Sequence, residues 1–104
     1  MDTVRETARE LLDAAAATNE RRLLVLAGAR GACYEGAREA AGAVGTDRAV
    51  ATVSERDVVG ERIGTDRTET LLGTTYGCLV LDCHDTCRPN ALGRVAGAVD
   101  GGGL

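Results

Sequence analysis

Leu71-Leu72-Gly73-Thr74-Thr75-Tyr76-Gly77-Cys78-Leu79-Val80-Leu81-Asp82 runs on through Pro89-Asn90-Ala91-Leu92-Gly93-Arg94 to Asp100-Gly101-Gly102-Gly103-Leu104. It reads as a short helical turn, a buried strand, a loop, a helix opened by proline and a glycine stop. Gly77–Asp82 is the clearest strand of the chain, and the continuous rather than alternating apolarity of Leu23–Ala27 marks another, buried on both faces as parallel sheets produce. Proline suits the first helical position, and Ala91, Leu92, Val95, Ala96 and Val99 give the following helix one apolar face.

Working outward, residues 2–19 form an amphipathic helix with Val4, Ala8, Leu11, Leu12 and Ala15 on one stripe. Asp2 or Thr3 caps its start, and Asn19 closes it in a left-handed conformation. Leu23-Leu24-Val25-Leu26-Ala27 is a first buried strand. Gly28-Ala29-Arg30-Gly31 turns into a second helix over 32–44, with Tyr34, Ala37, Ala41 and Val44 inward and Gly45 as its stop. Ala49–Val53 is a second strand. Residues 54–70 are polar and irregular, tacked down by Val58, Val59 and Ile63, and residues 77–82 supply the third strand. The order predicts an α/β fold: a small three-layer parallel sheet of Rossmann or flavodoxin type, three strands with flanking helices and right-handed crossovers.

The chain has 104 residues, enough for one domain. Its core must be built from Ala, Val and Leu, since only two residues are aromatic. All 12 basic residues are Arg, against 16 acidic ones, for a net charge of −4. An acidic, lysine-free, Ala- and Gly-rich chain suits a salt-loving organism, where a Debye length of about 3 Å at molar salt screens acidic self-repulsion; codon bias in a GC-rich genome explains the composition equally well. No basic patch of the nucleic-acid-binding kind is visible. No apolar run reaches the roughly 18 residues of a membrane span, and no signal-peptide pattern opens the chain. The expectation is a cytoplasmic protein without a membrane partner and with reduced cysteines.

Three stretches offer chemistry. Gly28–Gly31, between strand and helix, can hold an anion on backbone N–H groups, but it lacks the phosphate-loop signature and any lysine; a tight turn is the competing reading. Cys83-His84-Asp85-Thr86-Cys87 places two thiols and the sole histidine in one loop at a strand's C-terminal end. Cys33 or Cys78 would have to complete a zinc site, because the usual second short cysteine pair is missing. Cys78 within the strand instead packs like a small apolar residue, and neighbouring residues at a strand end point apart, which disfavours a Cys–His nucleophile. Asp82 and Asp85 flank the loop as solvated or capping carboxylates. Asn90 and Arg94 share a helix face and, with Arg30, are the residues suited to an RNA or anion contact. Nothing assembles a nucleophile, a base and an oxyanion site, so catalytic, cofactor and metal residues are expected to be absent.

Leu72-Gly73 with Thr75-Tyr76-Gly77, the strand Leu79–Leu81, Pro89-Asn90 with Leu92 and Arg94, and the Gly101–Leu104 end together resemble the RNA cytidine acetyltransferases. Arg21-Arg22-Leu23-Leu24-Val25-Leu26-Ala27-Gly28 with Arg30-Gly31 resembles that family's first strand and turn. The resemblance is to the N-terminal domain of the tRNA(Met) cytidine acetyltransferases of haloarchaeal type. It implies a parent protein with an ATP-driven helicase-like module, an acetyl-CoA-dependent acetyltransferase module and an RNA-binding tail, making N4-acetylcytidine at the tRNA wobble position. It implies no cofactor in this chain, acetyl-CoA and ATP/Mg in the parent, and the helicase-like module and tRNA as partners. It also implies an apolar strand after Leu104, so the expectation here is a fragment with an open sheet edge.

Overall fold

The computed structural model describes residues 3–44, 48–71, 73–84 and 89–104. Asp2, Gly45, Leu72, Asp85 and Cys87, to which readings were given above, lie outside the described residues. Helices are α1 (Val4–Thr18), α2 (Arg30–Val44) and α3 (Pro89–Ala98); strands are β1 (Val50–Val53), β2 (Glu61–Ile63) and β3 (Cys78–Leu81). The sheet is parallel with order β2-β1-β3.

Helix α1 forms where its apolar stripe predicts and is held at both ends. The Thr3 hydroxyl accepts from the Glu6 N–H at 3.1 Å, and the Glu6 carboxylate accepts from the Thr3 N–H at 3.3 Å, a reciprocal cap satisfying two orphan donors. Asn19 closes the helix at φ 53°, ψ 40°, the left-handed stop its side chain tolerates.

The sheet divides the interior by the period of two. Val50, Cys78 and Val80 face α1 and α2, meeting Ala8, Leu12, Ala40, Ala41 and Val44. Ala51, Val53, Leu79 and Leu81 face α3, meeting Val95, Ala98, Val99 and Leu71 from a 3₁₀ turn at Thr68–Leu71. Helix α3 buries Ala91, Val95 and Ala98, with Val99 buried just beyond its end, but leaves Leu92 and Ala96 exposed, a stripe rotated slightly from the expected one.

Three local expectations are corrected. Helix α2 starts at Arg30, so Arg30 and Gly31 belong to its first turn rather than to the preceding loop. Glu61–Ile63, within the stretch read as irregular, is a strand. Its two exposed residues and single buried Ile63 give too short a pattern to read. Leu23–Ala27 is not a strand. Its neighbour in space explains why. The backbone meets the β3 edge at Val99, which bridges Tyr76, loops out over Asp100–Gly103, and returns at Leu104. There the Leu104 N–H donates to the Gly77 carbonyl at 3.0 Å and the Leu104 carbonyl accepts from the Leu79 N–H at 3.0 Å. On its other side this segment meets Glu20 and Arg22: the Gly102 N–H donates to the Glu20 carbonyl at 2.8 Å, and the Arg22 N–H to the Gly103 carbonyl at 3.2 Å. The chain end thus occupies the position beside β3, and Leu23–Ala27 begins one position further out.

That end is a crowded turn. Gly102 sits at φ +85°, and the Arg48 guanidinium donates to its carbonyl at 3.0 Å. A Cβ on Gly103 would lie 2.8 Å from the Gly77 carbonyl oxygen and 2.9 Å from that of Asp100.

Candidate functional site

The C-terminal ends of parallel strands are where α/β domains place their chemistry, and here β1 and β3 deliver Ser54 and Asp82. The Asp82 carboxylate, with its side chain 7% exposed, accepts four hydrogen bonds. Oδ2 receives the Tyr34 hydroxyl of α2 at 2.5 Å and the Ser54 hydroxyl at 2.8 Å. Oδ1 receives the His84 backbone N–H at 3.0 Å and the His84 ring at 2.8 Å. Since an ionised carboxylate only accepts, the ring proton there resides on Nδ1. The His84 ring also meets the Tyr34 ring edge-on, centroids 5.9 Å apart.

Burial alone would push the Asp82 carboxyl up, but the bonds from Tyr34, the His84 N–H, Ser54 and the His84 ring outweigh it. They hold the group well below the usual carboxylate range. Its bond to Asp82 in turn raises the Tyr34 hydroxyl. A carboxylate so strongly held in its ionised form, with its acceptor positions occupied, is a poor proton acceptor. It joins α2, β1 and β3 in place of the solvated or capping role expected for it.

The thiols are arranged for packing. Burial pushes Cys78 up to about 11, a thiol protonated at neutral pH. Cys33 is buried with its sulfur 3.6 Å from the Leu26 carbonyl oxygen, and Cys83 is exposed. Among the described residues no three His, Cys, Asp or Glu side chains gather as a metal site; Cys87 is outside them.

The three residues expected at an RNA or anion contact are divided. Asn90 and Arg94, four apart on α3, line one groove of about 500 Å³ with Leu71, Gly73 and Thr74. Arg94 donates from it to the Thr68 hydroxyl at 2.8 Å. Arg30 does not line this groove; it sits at the start of α2, close enough for its charge to act on Tyr34. Spacing alone reveals the Asn90–Arg94 pairing. The Tyr34–Ser54–Asp82 cluster was missed because its members are 20 and 28 residues apart and Tyr34 sits on an otherwise apolar stripe.

A second cleft, of about 480 Å³, opens between Arg22–Gly28 and Cys78–His84 and is apolar. No described helix is long and apolar enough to cross a membrane.

Fold and site define a small parallel α/β domain whose polar centre ties strands to a helix. The class is that of a small parallel α/β domain. Over residues 1–104 the chain matches the family described as tRNA(Met) cytidine acetyltransferase TmcA, N-terminal, and it belongs to that family. It is 52% identical over 92 residues to the tRNA(Met) cytidine acetyltransferase TmcA of Haloferax volcanii, an alignment covering 86% of this chain and 12% of that protein. It is 44% identical over 106 residues to the protein of the same name in Haloarcula marismortui, covering 95% and 13%. The chain therefore spans about an eighth of the length of these relatives. No solved structure matches it.

Proposed function

We infer that the chain is the non-catalytic N-terminal domain of an enzyme forming N4-acetylcytidine at the wobble position of tRNA(Met), with acetyl-CoA and ATP bound by other modules. The observation carrying this reading is Asp82. The polar group best placed for chemistry at the strand ends is saturated by four donors and serves to join elements. The match to about an eighth of two proteins named as tRNA(Met) cytidine acetyltransferases, and to a family described as their N-terminal part, supports the reaction. The absence of lysine from the sequence argues against a phosphate loop here. The domain's partners are the helicase-like module, against which it packs, and tRNA, which Asn90 and Arg94 help to position, with Arg30 a separate contact apart from their groove. The acidic composition fits a halophilic cytoplasm, the compartment we assign.

The test uses the isolated chain together with a chimera carrying it in place of the matching segment of the Haloferax volcanii relative. The isolated chain, given acetyl-CoA, ATP and tRNA, is expected to form no N4-acetylcytidine above a protein-free blank, while the chimera forms it. In the chimera, Arg94→Ala is expected to raise KM for tRNA about fivefold with kcat little changed, as loss of uniform binding does. Product from the isolated chain overturns the non-catalytic assignment; an unchanged KM removes Arg94 from tRNA binding.

A further inference from the structure

The groove of about 500 Å³ along α3 is lined by one charged side chain, that of Arg94. Leu71, Gly73, Thr74, Asn90, Gly93 and Gly97 complete its wall, so Arg94 sets its electrostatics. The Thr74 hydroxyl is turned back onto the Leu71 carbonyl at 2.8 Å.

Arg94 differs from other arginines of the chain in what it touches. Arg22 and Arg48, equally half-buried, each pair with a carboxylate, those of Glu20 and Asp100. Arg21 and Arg38 donate to the Val99 and Val58 carbonyls. Arg94 donates through Nη1 to the Thr68 hydroxyl at 2.8 Å, and among the described residues no carboxylate pairs with it. Thr68 is itself buried, so the guanidinium is held in place before any ligand arrives. A half-buried cation without a counter-charge is costly, and an anion relieves that cost. The bond to Thr68 occupies Nη1. The opposite edge, Nε with Nη2, is one that forks onto two oxygens of a phosphate.

The wall beside this fork permits close approach. Gly93 and Gly97 lie inside the ten-residue α3, where glycine weakens a helix relative to alanine. A Cβ on either would meet nothing within 4 Å, so packing inside the domain does not require them. Their bare backbone lets a bulky chain lie against the helix next to the guanidinium.

We propose that this groove seats one phosphodiester of an RNA strand, its phosphate on the Arg94 fork and its ribose against Gly93. A phosphate contact positions the strand without reading its sequence. With one arginine on the groove and a net charge of −4 on the chain, the contact is a single phosphate and not a track of them. The inference rests on the reading of Arg94 as a tRNA contact and names the part of the RNA that it holds.

The test uses the chimera described above, with tRNA affinity measured by fluorescence anisotropy across a KCl series in which the chimera stays folded. Arg94→Ala is expected to weaken binding about fivefold at the lowest salt and to reduce the slope of log affinity against log salt by ~0.7–0.9. Arg94→Lys keeps the charge and should keep the slope, while losing part of the affinity because an ammonium cannot fork. Gly93→Leu should leave the Tm of the isolated chain no lower, since leucine suits a helix and meets open space there. The same substitution should weaken tRNA binding by the chimera at least about fivefold, because its side chain takes the place of the ribose. A loss of affinity in Arg94→Ala with the salt slope unchanged overturns the phosphate contact while leaving Arg94 a tRNA contact; no loss at all removes both. A raised KM for ATP in place of lost tRNA affinity assigns the groove to a nucleotide's phosphates. Lost activity in Gly93→Leu with tRNA affinity intact assigns it to a protein partner. Either result overturns the proposal.

Discussion

Replacing Asp82 with alanine is expected to destabilise the chain by about 3 kcal/mol, the cost of leaving the buried Ser54 hydroxyl and the half-buried Tyr34 hydroxyl without an acceptor and of loosening the turn at His84. For a domain of about 100 residues this is a Tm loss of roughly 12–24 °C. The Ser54 hydroxyl, in a residue 1% exposed, and the Tyr34 hydroxyl both lose their partner, and the turn at His84 loses the two bonds that shape it. Ser54→Ala removes one buried donor and should cost about 1 kcal/mol, and Tyr34→Phe should lower the Tm in the same direction. The pH dependence follows from the direction of the shift. The folded carboxyl is held below its unfolded value of about 3.9, so its stabilisation is fully present above about pH 5. It is lost as pH falls through 4 toward the folded value. Asp82→Asn removes this proton linkage, so the Tm gap between it and the parent chain should narrow between pH 5 and pH 3. A gap that widens on acidification, or an alanine variant within about 0.5 kcal/mol of the parent, would contradict the hub role.

Gly103→Ala is expected to cost about 2–3 kcal/mol, because the new Cβ meets two carbonyl oxygens of the backbone, which cannot swing aside as a flexible side chain would. The damage should be local first. With the turn displaced, Leu104 leaves the β3 edge and the Leu79 N–H loses its acceptor. Its amide exchange should then quicken about tenfold or more while that of the β1 amides changes little. Uniform acceleration across the sheet, or none, would show that the turn does not seat Leu104.

Much of the architecture was legible in the chain, and the reasons are particular. The α1 stripe, its Thr3 cap and its Asn19 stop are local features, decided within one turn of helix. The 77–82 strand shows an apolar run at Leu79–Leu81, and Ala49–Val53, though broken by Thr52 and poor in β-formers, is short enough and apolar enough to read as a second strand. Glu61–Ile63 does not, since a three-residue edge strand with two exposed side chains has no periodicity to show. Leu23–Ala27 is also a short apolar run, yet the structure leaves it unpaired, because Gly103 and Leu104 take the place beside β3 and pairing needs a neighbour. Asn90 and Arg94 could be placed together from helical spacing. The Asp82 cluster could not, because it is assembled by three elements whose arrangement is known only once the strands are ordered.

The central claim is that Leu104 holds the position beside β3 and keeps Leu23–Ala27 one position away. Nuclear Overhauser contacts across the sheet edge in the isolated chain measure this directly. The predicted result is contact between the Leu104 amide proton and the Cys78 α-proton, with none between the Leu24 or Val25 backbone and that of Leu79 or Val80. Direct backbone contacts from Leu24 or Val25 to β3, with Leu104 free in solution, would contradict it.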